Sequence, residues 1–224
     1  MANDFENSQL KLIAESDLSE VAIDTSEIVL DSLLDDGILK DIPVFGWAVK
    51  AFKAQRSIRD GLFLKKVALF AQGAQNVSDE KREEFRKRIE DDKQHCKRVG
   101  ESLLLFLERH ERLEKSLLLG KLFAAHLNNE ISYQNFSQLA AALDRAILED
   151  LQALRNNVQY VHMLRESVNE GLYRCGLMRI EIEVPAPSRK LFQAGIPTKS
   201  EGRVHYKINE LGTLFIRHAF SEVD

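Results

Sequence analysis

The chain has 224 residues, 44% of them hydrophobic, with only four prolines, eleven glycines and a net charge of -4. That length can bury a core for one large domain or for a domain with a small appendage, and the composition excludes both a disordered chain and a turn-rich all-β sandwich. No apolar run approaches the ~20 residues of a membrane-spanning helix. Cys96 and Cys175 lack a C-x-x-C spacing, which argues against a disulfide framework and for reduced thiols. Residues 1–10 lack the basic start and apolar run of a secretory signal, so the expected location is cytoplasmic.

The charge is unevenly spread. Up to Asp41 there are eleven acids and two bases, a local charge of -9, and residues 1–25 read as a flexible acidic arm. From Ser26, the spacing Ile28, Val29, Leu33, Leu34 predicts a short helix closed by Gly37. Pro43 then suits the first turn of a helix whose apolar start (Val44, Phe45, Trp47, Ala48, Val49, Phe52) passes into a basic stretch. Between Lys50 and Lys66 the six bases Lys50, Lys53, Arg56, Arg59, Lys65 and Lys66 face one acid, Asp60, for a local charge of +5.

A run of helices should follow. Ser78 with Asp79 and Glu80 behind it has the form of an N-cap with an acidic first turn. Val99–Leu107 and Leu113–Leu127 are apolar enough to be central, and their short charged connection predicts a packed hairpin. Asn128, Asn129 and Glu130 make a turn, and Ser132 caps a long helix carrying Phe136, Leu139, Leu143, Ile147 and Leu151. Residues 26–155 therefore read as a helical bundle.

After it the period changes. Val161, Leu164, Val168 and Leu172 predict a helix ending at Gly176, and Met178, Ile180, Ile182 and Val184 alternate with charged residues as a half-buried strand does. A long connection holding Pro187, Gly195, Pro197 and Gly202 leads to a second alternation, Val204, Tyr206, Ile208, and Asn209 can cap a closing helix over Glu210–Phe220. The expected fold is mainly α, with a small α+β module over residues 156–224.

Two binding readings follow. The Pro43–Lys66 helix joins an apolar wedge to a basic border, which suits an acidic protein partner or an anionic membrane surface, with a peripheral contact to the inner membrane as its corollary. Its contact residues would be Trp47, Lys50, Lys53, Arg56, Arg59, Lys65 and Lys66. The competing reading packs Val44–Phe52 on the bundle and pairs the bases with the acidic arm. Around the carboxy-terminal loop, Arg189, Lys190, Lys199 and Arg203 would be the nucleic-acid contacts, although Glu181 and Glu183 on the adjacent strand oppose a duplex.

Catalytic signatures are absent from the sequence. The six histidines have no H-x-x-x-H pair, there is neither a P-loop nor a G-x-S-x-G elbow, and His126 in an apolar helix suits a satisfied core position better than a ligand. The expectation is a non-enzymatic protein with no cofactor and no metal. A protein partner is expected, and a homodimer is one form of it.

The run Glu170-Gly171-Leu172-Tyr173-Arg174-Cys175-Gly176-Leu177, with Tyr206-Lys207-Ile208-Asn209-Glu210-Leu211-Gly212, resembles the helix–wing–helix half of bacterial winged-helix domains. Asn209 stands where that pattern usually carries threonine. The run Asp36-Gly37-Ile38-Leu39-Lys40-Asp41-Ile42-Pro43-Val44-Phe45-Gly46, with Arg59-Asp60-Gly61-Leu62-Phe63-Leu64-Lys65-Lys66, resembles a dispersed group of uncharacterised bacterial helical proteins with a carboxy-terminal winged-helix-like module. That resemblance implies an interaction protein on mobile bacterial genes, in phage defence or stress responses, and brings no catalytic residues with it.

Overall fold

The computed structural model describes residues 58–183 and 202–220. In chain order these form helices α1 (Ile58–Gly73), α2 (Asp79–Asp91), α3 (Lys93–Arg109), α4 (Leu113–Leu127), α5 (Tyr133–Arg145) and α6 (Leu148–Asn156). A 3-10 turn (Val158–Met163), α7 (Glu166–Arg174), the antiparallel strands β1 (Met178–Glu183) and β2 (Arg203–Ile208), and α8 (Glu210–Ala219) complete them. The protein is thus a mainly helical bundle followed by a small α+β module. The expected arm over residues 1–25 and the expected helix from Ser26 lie outside the described residues. The chain divides into two compact units, one running to Asp144 and taking in the residues from His218, the other spanning Arg145–Arg217. The sequence boundary near residue 155 falls after α6, whereas this division falls before it, because α6 packs on the 3-10 turn and α7.

In the first unit, α2 starts as its sequence demands, with the Ser78 hydroxyl accepting from the Lys81 N–H at 3.3 Å and Asp79 and Glu80 in the first turn. The core is built on α4, where Leu119, Leu122, Phe123 and Leu127 are fully buried. The Phe123 ring lies 5.6 Å from Phe70, 6.0 Å from Phe85 and 5.5 Å from Phe136. The expected α3–α4 hairpin is not the main pairing: α4 packs chiefly on α1, and α3 meets α1 and α2 instead. Glycines explain the preference. A Cβ on Gly73 would come within 3.1 Å of the Gly120 Cα and collide with the Leu117 carbonyl, and one on Gly120 would collide with the Phe70 carbonyl. Two bare backbones therefore meet at this crossing, a closeness that short sequence separation between α3 and α4 cannot match. At the end of α4, Glu130 N–H bonds to Ala125 C=O at 2.9 Å and Asn129 N–H to His126 C=O at 3.0 Å, with Asn129 at φ 62. This is a Schellman closure with asparagine in the left-handed position.

Two long helices expected from periodicity are each broken. Ser132 does cap α5, its Oγ accepting from the Asn135 N–H at 3.0 Å. Yet α5 stops at Arg145, and the chain is extended at Ile147 before α6 begins. A continuous helix would have put Ile147 on the stripe of Leu143 and Leu151. The break instead buries Ala146 and Leu148 and leaves Ile147 60% exposed. Glu149 and Asp150, placed to favour a fresh helix N-terminus, are the local signal for it. Likewise the helix expected over residues 160–176 divides into the 3-10 turn and α7, separated by extended backbone at Leu164 and Arg165, while Val161, Val168 and Leu172 are buried as their spacing requires.

The second unit ends in the hairpin. Gly176, at φ 93, closes α7 in a second Schellman pattern, with Leu177 N–H on Leu172 C=O and Gly176 N–H on Tyr173 C=O, both at 3.0 Å. The strands then pair in a register that sets Met178 against Ile208, Ile180 against Tyr206 and Ile182 against Val204 on one face. Arg179, Glu181 and Glu183 oppose Lys207, His205 and Arg203 on the other. Asn209 caps α8 as expected, its Oδ1 accepting from the Gly212 N–H at 2.8 Å while its Nδ2 donates to the Gly176 carbonyl at 2.9 Å. One side chain thereby ties the exit of β2 to the entry of β1.

Candidate functional site

Among the described residues, a groove of about 490 Å³ lies within the second unit. The 3-10 turn supplies Val158, Gln159, Val161 and His162, α7 supplies Asn169, and β2 supplies Val204, His205, Tyr206, Lys207 and Ile208. Apolar side chains remain at its margin, with Val204 54% and Val158 38% exposed. Beside it Tyr160 and Met163 on the same turn are exposed as well.

Asn169 is the unusual member. It is 6% exposed, its Nδ2 donates to the Leu164 carbonyl at 3.4 Å, and its Oδ1 has no hydrogen-bond partner. Turning the amide over would set oxygen against the Leu164 carbonyl, so the observed orientation is the better one. A buried acceptor without a donor costs about 1–3 kcal/mol, and its presence in a groove calls for an explanation.

The strand contributes a second set of unused groups. At the base of the hairpin Asn209 N–H donates to Leu177 C=O at 3.2 Å, which makes that pair a hydrogen-bonded one. Antiparallel pairing alternates, so the N–H and C=O groups of Val204, Tyr206 and Ile208 turn away from β1 to the outer edge. These three line the groove together with His205 and Lys207, and among the described residues no backbone bond beyond the hairpin reaches them.

Among the described residues that line the groove there is no carboxylate, and Lys207 and His205 are met from across the hairpin. Lys207 Nζ lies 2.6 Å from Glu181 Oε2, and His205 Nε2 lies 3.2 Å from Glu183 Oε2, both across the hairpin. Hydrogen bonds from Lys207 and Arg179 hold the Glu181 carboxyl below the usual carboxylate range. Elsewhere in this unit the Cys175 thiol is free, buried and pushed up by that burial, with its S–H donating to the Leu172 carbonyl. It is a packed thiol, not a poised nucleophile.

The residues singled out from sequence fare differently. Trp47, Lys50, Lys53 and Arg56 lie outside the described residues, as do Arg189, Lys190 and Lys199, while Arg59 falls in the first turn of α1. Lys65 and Lys66, expected on a solvent-facing basic border, are buried, 7% and 8% exposed. Lys66 Nζ donates to the carbonyls of Glu108, at 3.3 Å, and of His110. The orphan carbonyls at the end of α3 attract a cation, and this use outweighs hydration of the ammonium. Arg203 opens β2 and is exposed. His126 is engaged as expected, its Nδ1–H facing the Ile131 carbonyl at 3.2 Å and its ring stacked on Phe136. Sequence reasoning passed over Asn169, although a polar residue beside Val168 on a buried stripe was a signal of it.

Among the described residues no group of three or more His, Cys, Asp or Glu side chains is placed to hold a metal ion, and no helix is long and apolar enough to cross a membrane. No family model matches the chain, and neither a curated protein nor a solved structure matches it.

Proposed function

We propose that this chain is a non-enzymatic interaction protein whose hairpin module takes an extended segment of a protein partner as an added strand on the outer edge of β2. The observation that carries the reading is the coincidence of that edge with a groove. An exposed strand edge is a template for pairing, and proteins that do not use one blunt it or cover it. Main-chain bonds to Val204, Tyr206 and Ile208 would supply the affinity, and the apolar wall of the 3-10 turn would receive alternate side chains. Asn169 Oδ1 offers an acceptor to a donor on the incoming segment.

Selection of a displayed random-peptide library on the full chain tests this. Enriched peptides should slow amide hydrogen exchange at Tyr206, and Val204→Pro should abolish their binding. Proline removes an outward N–H, and an edge strand tolerates it there, so the hairpin should survive. Peptides that bind Val204→Pro as well as the parent, or that leave the Tyr206 amide unchanged, would reject strand addition. Salt-sensitive retention on heparin that needs Arg189, Lys190, Lys199 and Arg203, without peptide binding, would put a nucleic-acid reading in its place. Pelleting with anionic vesicles through Trp47, Lys50, Lys53 and Arg56 would do the same for a membrane surface.

A further inference from the structure

The chemistry of the incoming segment can be taken further, resting on the strand-addition reading above. We infer that the segment alternates apolar with acidic residues. The ground is what β2 already accepts on its inner edge. There β1 presents Met178, Ile180 and Ile182 on the face of Tyr206 and Val204, and Glu181 and Glu183 on the face of Lys207 and His205. Both carboxylates are engaged, with Glu181 2.6 Å from Lys207 and Glu183 3.2 Å from His205.

Side chains of a strand stand on its two faces, so a neighbour on either edge meets the same two sets. A strand added outside β2 would lay every second residue on the face of Val204, Tyr206 and Ile208, and Val158 and Val161 are among the residues that line the groove there. The residues between would lie on the face of Arg203, His205 and Lys207, three basic side chains on one strand. An ammonium has three donors, so Lys207 can serve a carboxylate on each side. Arg203 forms no ion pair among the described residues, although the register sets it against Glu183. Lysines on the incoming strand would instead face Arg203, and Lys207 whose carboxylate partner Glu181 lies on the far side of β2.

Three synthetic peptides of equal length, valine alternating with glutamate, with lysine or with threonine, decide this when titrated into the full chain by fluorescence anisotropy with Tyr206 amide exchange in parallel. The glutamate peptide should bind about fivefold more tightly than the threonine peptide, two cross-strand pairs being gained. The lysine peptide should bind more weakly than either. In the double variant Glu181→Lys with Lys207→Glu, which keeps the internal pair with its charges exchanged, the glutamate preference should disappear. Equal binding of all three peptides with the Tyr206 amide protected would overturn the acidic preference while leaving strand addition standing. Protection by none of them would remove strand addition itself, and this inference with it.

Discussion

The two units differ in where they place a few of their polar groups. Both carry exposed ion pairs, but in the first two lysines are also drawn inward: Lys66 binds the carbonyls of Glu108 and His110, and Lys115 Nζ donates to the Asp144 carbonyl at 3.1 Å. His110 completes this cluster, 4% exposed, with its ring 3.9 Å from that of Phe106 and its Nδ1 3.6 Å from Asp144 Oδ1. In the second unit the charges stay on the surface of the hairpin, and what is left unused is a strand edge, several apolar side chains and the Asn169 acceptor. Unpartnered buried atoms occur in the first unit too, at Arg82 Nε, His110 Nε2 and Ser116 Oγ, so what sets Asn169 apart is its place in the lining of a groove beside an unused strand edge. Stability and binding should therefore respond to different substitutions.

A large effect should come from the helix crossing of the first unit. Gly120→Ala gains about 1 kcal/mol of helix propensity but drives a methyl into the backbone of α1, so a net loss of about 2 kcal/mol is expected. Chemical unfolding followed at α4 amides measures it, and peptide affinity at β2 should be unaffected. A gain in stability would show that the two backbones are not in contact there.

Acid should act on the same unit. Burial, helped by Lys115, Lys66 and Arg109 and opposed by Asp144, lowers His110 from 6.5 to about 4. Between those values the unfolded chain binds a proton that the folded one refuses, so stability is fully present above pH 6.5 and is lost as pH falls toward 4. The gap bounds the loss at about 3 kcal/mol. His110→Phe should flatten that slope in urea titrations run across the window, and an unchanged slope would clear His110 of the effect. Of the same size as the Gly120 effect is Lys66→Met, which leaves two carbonyls without their donor and should cost about 2 kcal/mol by the same unfolding measurement. Arg203→Ala on the exposed strand should stay within about 0.5 kcal/mol of the parent. Equal losses for these two would erase the contrast between the units.

How much of this was legible depends on which interactions are local. Ser78, Ser132 and Asn209 bond to backbone groups three residues on, so their caps could be read directly. The alternation through Met178–Glu183 and Arg203–Ile208 likewise gave the hairpin, but the half-burial expected of its apolar face holds only at Met178, Tyr206 and Ile208, since Ile180, Ile182 and Val204 are exposed. The α1–α4 crossing was not legible, because Gly73 and Gly120 matter only once they meet. Lys65 and Lys66 misled for a related reason: charge count alone cannot tell a solvated lysine from a buried one, or from one that, like Lys66, reaches the end of another helix. The groove needed three elements to be brought together, so its only trace in the sequence was Asn169 on an apolar stripe.

Asn169→Leu puts that trace to work, and it should leave stability unchanged or slightly raised. The substitution gives up one long hydrogen bond to Leu164, at 3.4 Å, but also removes the desolvated Oδ1 that nothing in the unit satisfies. Replacing a poorly paired buried polar group by an apolar one of similar volume is nearly neutral, and a gain of up to about 1 kcal/mol is expected. If the amide serves the groove, the same variant should bind selected peptides several-fold more weakly while unfolding no more easily than the parent. A residue that served packing alone would show the reverse, a loss of stability with binding untouched, and thermal unfolding beside peptide titration of one protein sample separates the two. Retaining a buried acceptor that folding does not need is what a site for a partner would require.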